Sequence, residues 1–183
     1  MRQQTFLSSL MHKLDLLSEW SGYAISWLTL LMVLVTFTIV VMRYLFNVGN
    51  IALQESVIYM HSFVFLLGAA YTLKHDGHVR VDIFYRPMTE RNQAIINIIG
   101  TLGLLLPVTG FIFYISWEYV ATSWSLLEGS QEAGGLEYRY LLKTSLLLMP
   151  ALMILQGIAE LIRNFLVLTG QGHLLKPDEE HAL

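Results

Sequence analysis

Four long apolar runs dominate the chain, Ser21 to Met42, Ser56 to Leu73, Ala94 to Trp117 and Thr144 to Leu161, and Glu160 is the one acidic residue inside any of them. Each approaches the roughly 20 apolar residues needed to cross a hydrocarbon core about 30 Å thick. A soluble four-helix bundle would carry a polar stripe every third or fourth residue, and the stretch from Leu28 to Val35 has none. Composition agrees, since 55% hydrophobic and 14% charged residues leave too little polar surface for an ordinary soluble domain of 183 residues. The fold class expected is therefore an all-α integral membrane protein with four transmembrane helices.

The first run begins about 20 residues in, is long, and lacks a small-residue cleavage site after it, so it is expected to remain as a helix and not to act as a cleaved signal. Without cysteine there are no disulfides or thiolate metal sites, and the redox compartment stays undecided. Orientation follows from where the basic residues lie. Arg2, Lys13, Lys74, Arg80, Arg86, Arg91, Arg163 and Lys176 fall on one side, against Arg43, Arg139 and Lys143 on the other. The positive-inside rule then puts both termini in the cytoplasm and the acidic loop 118–143 outside.

Residues 4–19 place Phe6, Leu7, Leu10, Leu14 and Leu17 on one helical face, which predicts an amphipathic helix lying on the inner leaflet or on a partner. The alternative is an extended, solvated start to the first span. Residues 1–168 form one membrane domain, and the Gly- and charge-containing tail 169–183 is expected to be disordered. In the third span Gly100, Gly103, Pro107 and Gly110 recur at steps of three or four, a face that lets another helix approach closely, with a kink expected at Pro107. Pro150 and Gly157, seven apart, repeat the device in the fourth span.

Few residues offer chemistry. His61 is the one histidine inside a span. A bis-histidine haem needs two axial imidazoles, so hydrogen bonding to a neighbouring helix is the favoured reading. His75, His78, Asp76 and Asp82 cluster in a basic loop but lack a metal-ligand spacing. No phosphate-cradling loop, nucleophile elbow or nucleic-acid module is present, so neither catalysis nor nucleic-acid binding is expected. A transporter with its own pathway would carry ionisable or broken-helix machinery at depth, and this chain reads as a wall more than a pump. Arg43 and Glu55 flank a turn of about a dozen residues, short enough to bring them together as an ion pair.

Two polar clusters bracket the second span. One is Arg43-Tyr44-Leu45-Phe46-Asn47 followed by Gln54-Glu55; the other runs from Leu67-Gly68-Ala69-Ala70 into Lys74-His75-Asp76-Gly77-His78-Val79-Arg80-Val81-Asp82. Together with Leu141-Leu142-Lys143 and Leu155-Gln156-Gly157, their order over residues 20–165 resembles the small permease (DctQ-type) subunit of tripartite ATP-independent periplasmic (TRAP) transporters. The resemblance implies a scaffold without cofactor that supports a large membrane subunit, with a periplasmic solute-binding protein docking at the external face and organic acids as cargo. By position, Arg43, Asn47, Glu55, His78, Arg80 and Asp82 are expected to hold structural or subunit-interface roles. Where family members often carry a tryptophan and paired acids after the first turn, this chain has Leu53-Gln54-Glu55. The rival expectation is a haem- or quinone-associated membrane anchor of a respiratory complex.

Overall fold

A computed structural model describes residues 2–79 and 82–171. Among them the chain is all helical: α1 (Arg2–Leu45), α2 (Ile51–Lys74), α3 (Asp82–Tyr85), α4 (Glu90–Gly100), α5 (Leu106–Ser125) and α6 (Arg139–Leu168). A π-helical segment, Thr101–Leu105, joins α4 to α5, so 90–125 is one continuous membrane-length element. Four helical stretches, Leu7–Leu45, Ile51–Lys74, Glu90–Ser125 and Arg139–Leu168, are long and apolar enough to cross a bilayer. Each of the four expected runs lies inside one of them. Because the number of crossings is even, the first and last described residues lie at one end of the bundle, here termed the terminal end.

The interfacial helix expected at 4–19 is not a separate element. Helix α1 runs unbroken for 44 residues, since neither Gly nor Pro interrupts residues 2–21. Of the apolar face expected there, Leu7, Leu10 and Leu14 are half-buried and Leu17 is 38% exposed, while Met11, Ser18 and Ser21 are buried. The inward face is set by polar partners on α6, described below.

Helix α6 lies at the centre, packing against α1, α2, α4 and α5, while α1 also packs along α2. Besides Leu166 and Pro150, the fully buried positions are small or polar: Ala70, Ala159, Ser123, Ser145 and Gln156. Lipid tails match Leu in apolarity, so helices in a membrane associate through close backbone approach and hydrogen bonds. Two glycines make such approaches. A Cβ on Gly22 of α1 would stand 2.2 Å from the Tyr71 ring of α2, and one on Gly157 of α6 would meet Leu105 at 2.7 Å.

Pro107 lacks the N–H that would close a helical bond. The irregularity it imposes takes the form of the π turn just before it, in which Leu106 N–H reaches back to the Thr101 carbonyl. Pro150 is buried inside α6, which continues through it. The glycine face of the third span is another matter. Among the described residues nothing beyond the helix's own adjacent backbone lies within 4 Å of a Cβ built on Gly100, Gly103 or Gly110, so no other described helix fills the approach that those residues leave open.

Helix ends are closed by left-handed residues. Asn47 (φ 54), Asp76 (φ 57), Leu127 (φ 47) and Gly170 (φ 73) follow α1, α2, α5 and α6. After α2 the Gly77 N–H bonds to the Thr72 carbonyl at 2.9 Å, and after α6 the Gln171 N–H bonds to Leu166 at 2.9 Å, the six-to-one closure of a Schellman motif. Asn47 has a local role accordingly, because Asn tolerates this conformation better than other side chains.

Candidate functional site

Polar side chains gather at the two ends of the bundle. At the terminal end, Asp15 faces α6, and its Oδ2 lies 2.8 Å from Arg163 Nη2. The other guanidinium nitrogen of Arg163 pairs with Glu160, one turn earlier. Gln156 Nε2 donates to Asp15 Oδ1 at 3.1 Å, and its Oε1 accepts from the Ser18 hydroxyl at 2.6 Å. Gln156, Glu160 and Arg163 stand at i, i+4 and i+7, so they share one stripe of α6, and Asp15 and Ser18 share a face of α1. Among the described residues no buried side-chain nitrogen or oxygen lacks a hydrogen-bond partner.

Neighbouring contacts extend the network. Lys74, at the end of α2, donates to Glu19 Oε1 at 2.7 Å and to the Asp15 carbonyl at 3.2 Å. His75 Nε2 lies 2.7 Å from the same Glu19 oxygen. On the other flank of α6, Asn97 Nδ2 donates to Asn164 Oδ1 at 3.2 Å and to the Tyr85 hydroxyl at 2.9 Å, while Gln93 Nε2 donates to the Tyr85 carbonyl at 3.1 Å. Tyr85 thus ties α3 to α4 and, through Asn97, to α6. Of the residues expected to hold structural or subunit-interface roles here, His78 is exposed in the turn after α2, Asp82 opens α3, and Arg80 lies outside the described residues. The expected tail from residue 172 lies outside them as well.

At the opposite end Glu55 is the organising group. Its carboxylate accepts from the Ser130 hydroxyl and from the Leu136 N–H, the latter at 2.6 Å, and so holds the 126–138 loop over the start of α2. Gly135 has to be glycine here, because a Cβ would stand 2.8 Å from Glu55 Oε2 and 2.4 Å from Ser130 Oγ. The expected Arg43–Glu55 ion pair is not formed. Glu55 lies in the second turn of α2 and faces the long loop, and Arg43 is exposed in the last turn of α1 with no ion pair among the described residues.

Beside it, Glu128 pairs with Lys143 and accepts from the buried Ser123 hydroxyl at 2.7 Å. The Lys143 ammonium sits 3.9 Å from the centre of the Tyr119 ring, and Trp124 Nε1 donates to Thr144 Oγ1 at 2.8 Å. The hydrogen bond from Lys143, then that from Ser123, hold the Glu128 carboxyl below its usual value of 4.5 against the opposing effect of burial. A carboxyl depressed in the folded state stabilises it above the unfolded value and loses that contribution as pH falls through the folded one. The loop is therefore expected to hold down to about pH 4.5 and to loosen below it. Limited proteolysis within 126–138 against pH checks this, and cleavage that rises already between pH 7 and 5 would contradict it.

Among the described residues no group of three or more His, Cys, Asp or Glu is placed to hold a metal, and Asp15, Glu19, Lys74, Glu128, Lys143, Glu160 and Arg163 pair among themselves. Glu55 is among the residues that the sequence singled out, though with Arg43 and not the 126–138 loop as its expected partner. The sequence reading passed over Asp15, Gln156, Arg163, Asn97 and Asn164, whose signal was their helical spacing in otherwise apolar segments. His61 differs from all of these. It is exposed near the middle of α2, stacked on Phe65 with ring centroids 6.3 Å apart, and makes no hydrogen bond among the described residues, contrary to the neighbouring-helix bond expected for it.

Residues 32–167 match the family described as "Tripartite ATP-independent periplasmic transporters, DctQ component". Over 88 residues, 48% of this chain, it is 28% identical to the C4-dicarboxylate TRAP transporter small permease protein DctQ of Vibrio cholerae serotype O1. That match spans 38% of the relative's length. No solved structure matches the chain.

Proposed function

This chain belongs to the DctQ component family of tripartite ATP-independent periplasmic transporters, and on that premise we propose that it is the non-catalytic small membrane subunit that braces a large one. The observation that carries the proposal is the pairing of its charges. Asp15, Glu160 and Arg163 close on each other, Lys74 closes on Glu19, and Lys143 closes on Glu128. A group that must bind and release a solute or ion at depth is kept free for it, whereas these groups spend their valence on fixing helix angles. The solute path then belongs to the large subunit.

The terminal end faces the cytoplasm of a bacterial inner membrane, in keeping with the eight basic residues on that side. The far end, with the loop held by Glu55, faces the periplasm and contributes to the surface on which a loaded solute-binding protein docks. Arg43, exposed there without an ion pair, belongs to that surface or to the subunit interface. The relative from Vibrio cholerae is named for C4-dicarboxylates, which supports a carboxylate-bearing organic acid as cargo.

The test is to tag the chain, extract it from native membranes in mild detergent, identify what accompanies it, and record the visible spectrum. A much larger polytopic membrane protein in a colourless complex is expected. Soluble redox subunits with a haem Soret band would replace the proposal with a respiratory anchor.

A further inference from the structure

The outer face of α2 carries Gln54, Ile58, His61 and Phe65 at i, i+4, i+7 and i+11, and all four are exposed. His61 lies ten residues from the start of α2 and thirteen from Lys74 at its end, about 15 Å and about 20 Å along the axis. An imidazole reaches neither interface from that depth. Its ring nitrogens offer a hydrogen-bond donor and an acceptor, and hydrocarbon can satisfy neither.

Outward-facing hydroxyls elsewhere avoid this difficulty. Thr36 and Thr38 of α1 return their hydrogen bonds to the carbonyls of Met32 and Leu34, at 2.7 and 2.8 Å. His61 makes no such return among the described residues, and its ring lies near-parallel to that of Phe65, with centroids 6.3 Å apart and an interplanar angle of 21°. A side chain oriented by an aromatic neighbour, at mid-membrane depth and without a partner of its own, is completed from outside.

We propose that the Gln54–Ile58–His61–Phe65 face of α2 is the docking face for the large membrane subunit, and that a transmembrane helix of that subunit presents a hydrogen-bonding side chain to His61 at the centre of the bilayer. Lipid cannot be the occupant, because acyl chains carry no donor or acceptor at that depth. A helix bearing Ser, Thr, Asn, Gln or a carboxylate can. Ile58 and Phe65, one turn to either side, supply the apolar ridge against which such a helix packs. The proposal rests on the reading of this chain as the small subunit of a two-part membrane unit.

The experiment uses the intact complex, with the tagged chain either unaltered, His61→Leu or His61→Gln, and measures the ratio of large to small subunit retained across a detergent series. His61→Leu is expected to lower retention about threefold to tenfold, the range of an interhelical hydrogen bond, while His61→Gln, which keeps a donor and an acceptor, retains most of it. A benzophenone side chain placed at Phe65 is expected to cross-link to the large subunit. If the unaltered chain brings down no polytopic partner, the functional reading itself fails. If it does, but His61→Leu is retained equally and Phe65 gives no cross-link to that partner, the docking face is overturned and the functional reading stands. Equal loss in both His61 variants overturns the hydrogen bond, and a Phe65 cross-link to a second copy of this chain overturns the assigned occupant. A Soret band abolished by His61→Leu makes His61 a haem ligand and overturns the proposal.

Discussion

Replacing Arg163 with Met is expected to unfasten the terminal end of the bundle, lowering stability by about 2–4 kcal/mol, because it leaves two carboxylates facing each other without their cation. Arg163 sits between Asp15 and Glu160, whose side chains are only 15% and 17% exposed. Removing the cation leaves both desolvated and mutually repelling, which costs more than the ion pair is worth. Gln156, wholly buried, would retain its bond from Ser18 but would hold Asp15 alone. The consequence is specific to place: the first four turns of α1 should detach from α6 while the far end, held by Glu55 and Glu128, remains closed. Hydrogen exchange of residues 7–21 and the midpoint of unfolding in a denaturing detergent measure the two effects. Arg163→Lys, which can serve one carboxylate but not both with a planar fork, should recover part of the loss. An unchanged midpoint in Arg163→Met would mean that the network contributes nothing.

Gly22→Leu is the second large effect. Even the first added carbon would stand 2.2 Å from Tyr71 Cδ2 and 2.6 Å from Cγ, close to the root of that side chain, and Tyr71 is itself packed on the His75 ring, with centroids 4.3 Å apart. Turning the ring about its own axis leaves Cγ in place, so the Tyr71 side chain or the helices must shift. Overpacking of this kind costs about 1–3 kcal/mol or more, and the loss should appear as lower yield and easier dissociation of α1 from α2. Gly110→Ala is the matched comparison. Nothing lies within 4 Å of its Cβ, and Ala is the better helix former by about 1 kcal/mol. The isolated chain should tolerate it or gain slightly. Equal damage from both substitutions would contradict the packing described for α1 and α2.

The contrast between these two glycines marks the limit of what was legible in the chain. Gly100, Gly103 and Gly110 form the more regular pattern, at spacings that suit helix packing, yet they face open space. Gly22 and Gly157, which belong to less regular patterns, make the close approaches. Spacing states which residues share a face; it does not state what stands opposite. Glu55 shows the same thing in polar form. Its proximity to Arg43 in sequence suggested an ion pair, but the partners it holds, Ser130 and Leu136, come from a loop more than seventy residues away.

The four membrane-length helices and their order follow from the sequence alone, because the cost of placing charge in hydrocarbon depends on composition and length and needs no partner to act. Family resemblance was also legible, since it resides in short polar motifs at the ends of those helices. Which side of each helix turns inward was decided only by the tertiary structure. In water an apolar stripe marks the buried face, but beside lipid an apolar side chain is equally at home inside and outside the bundle. The faces are chosen instead by close backbone approach at Gly22 and Gly157, and by hydrogen bonds such as those joining Asp15 and Ser18 to Gln156 and Arg163. Those choices exist only once two helices are side by side.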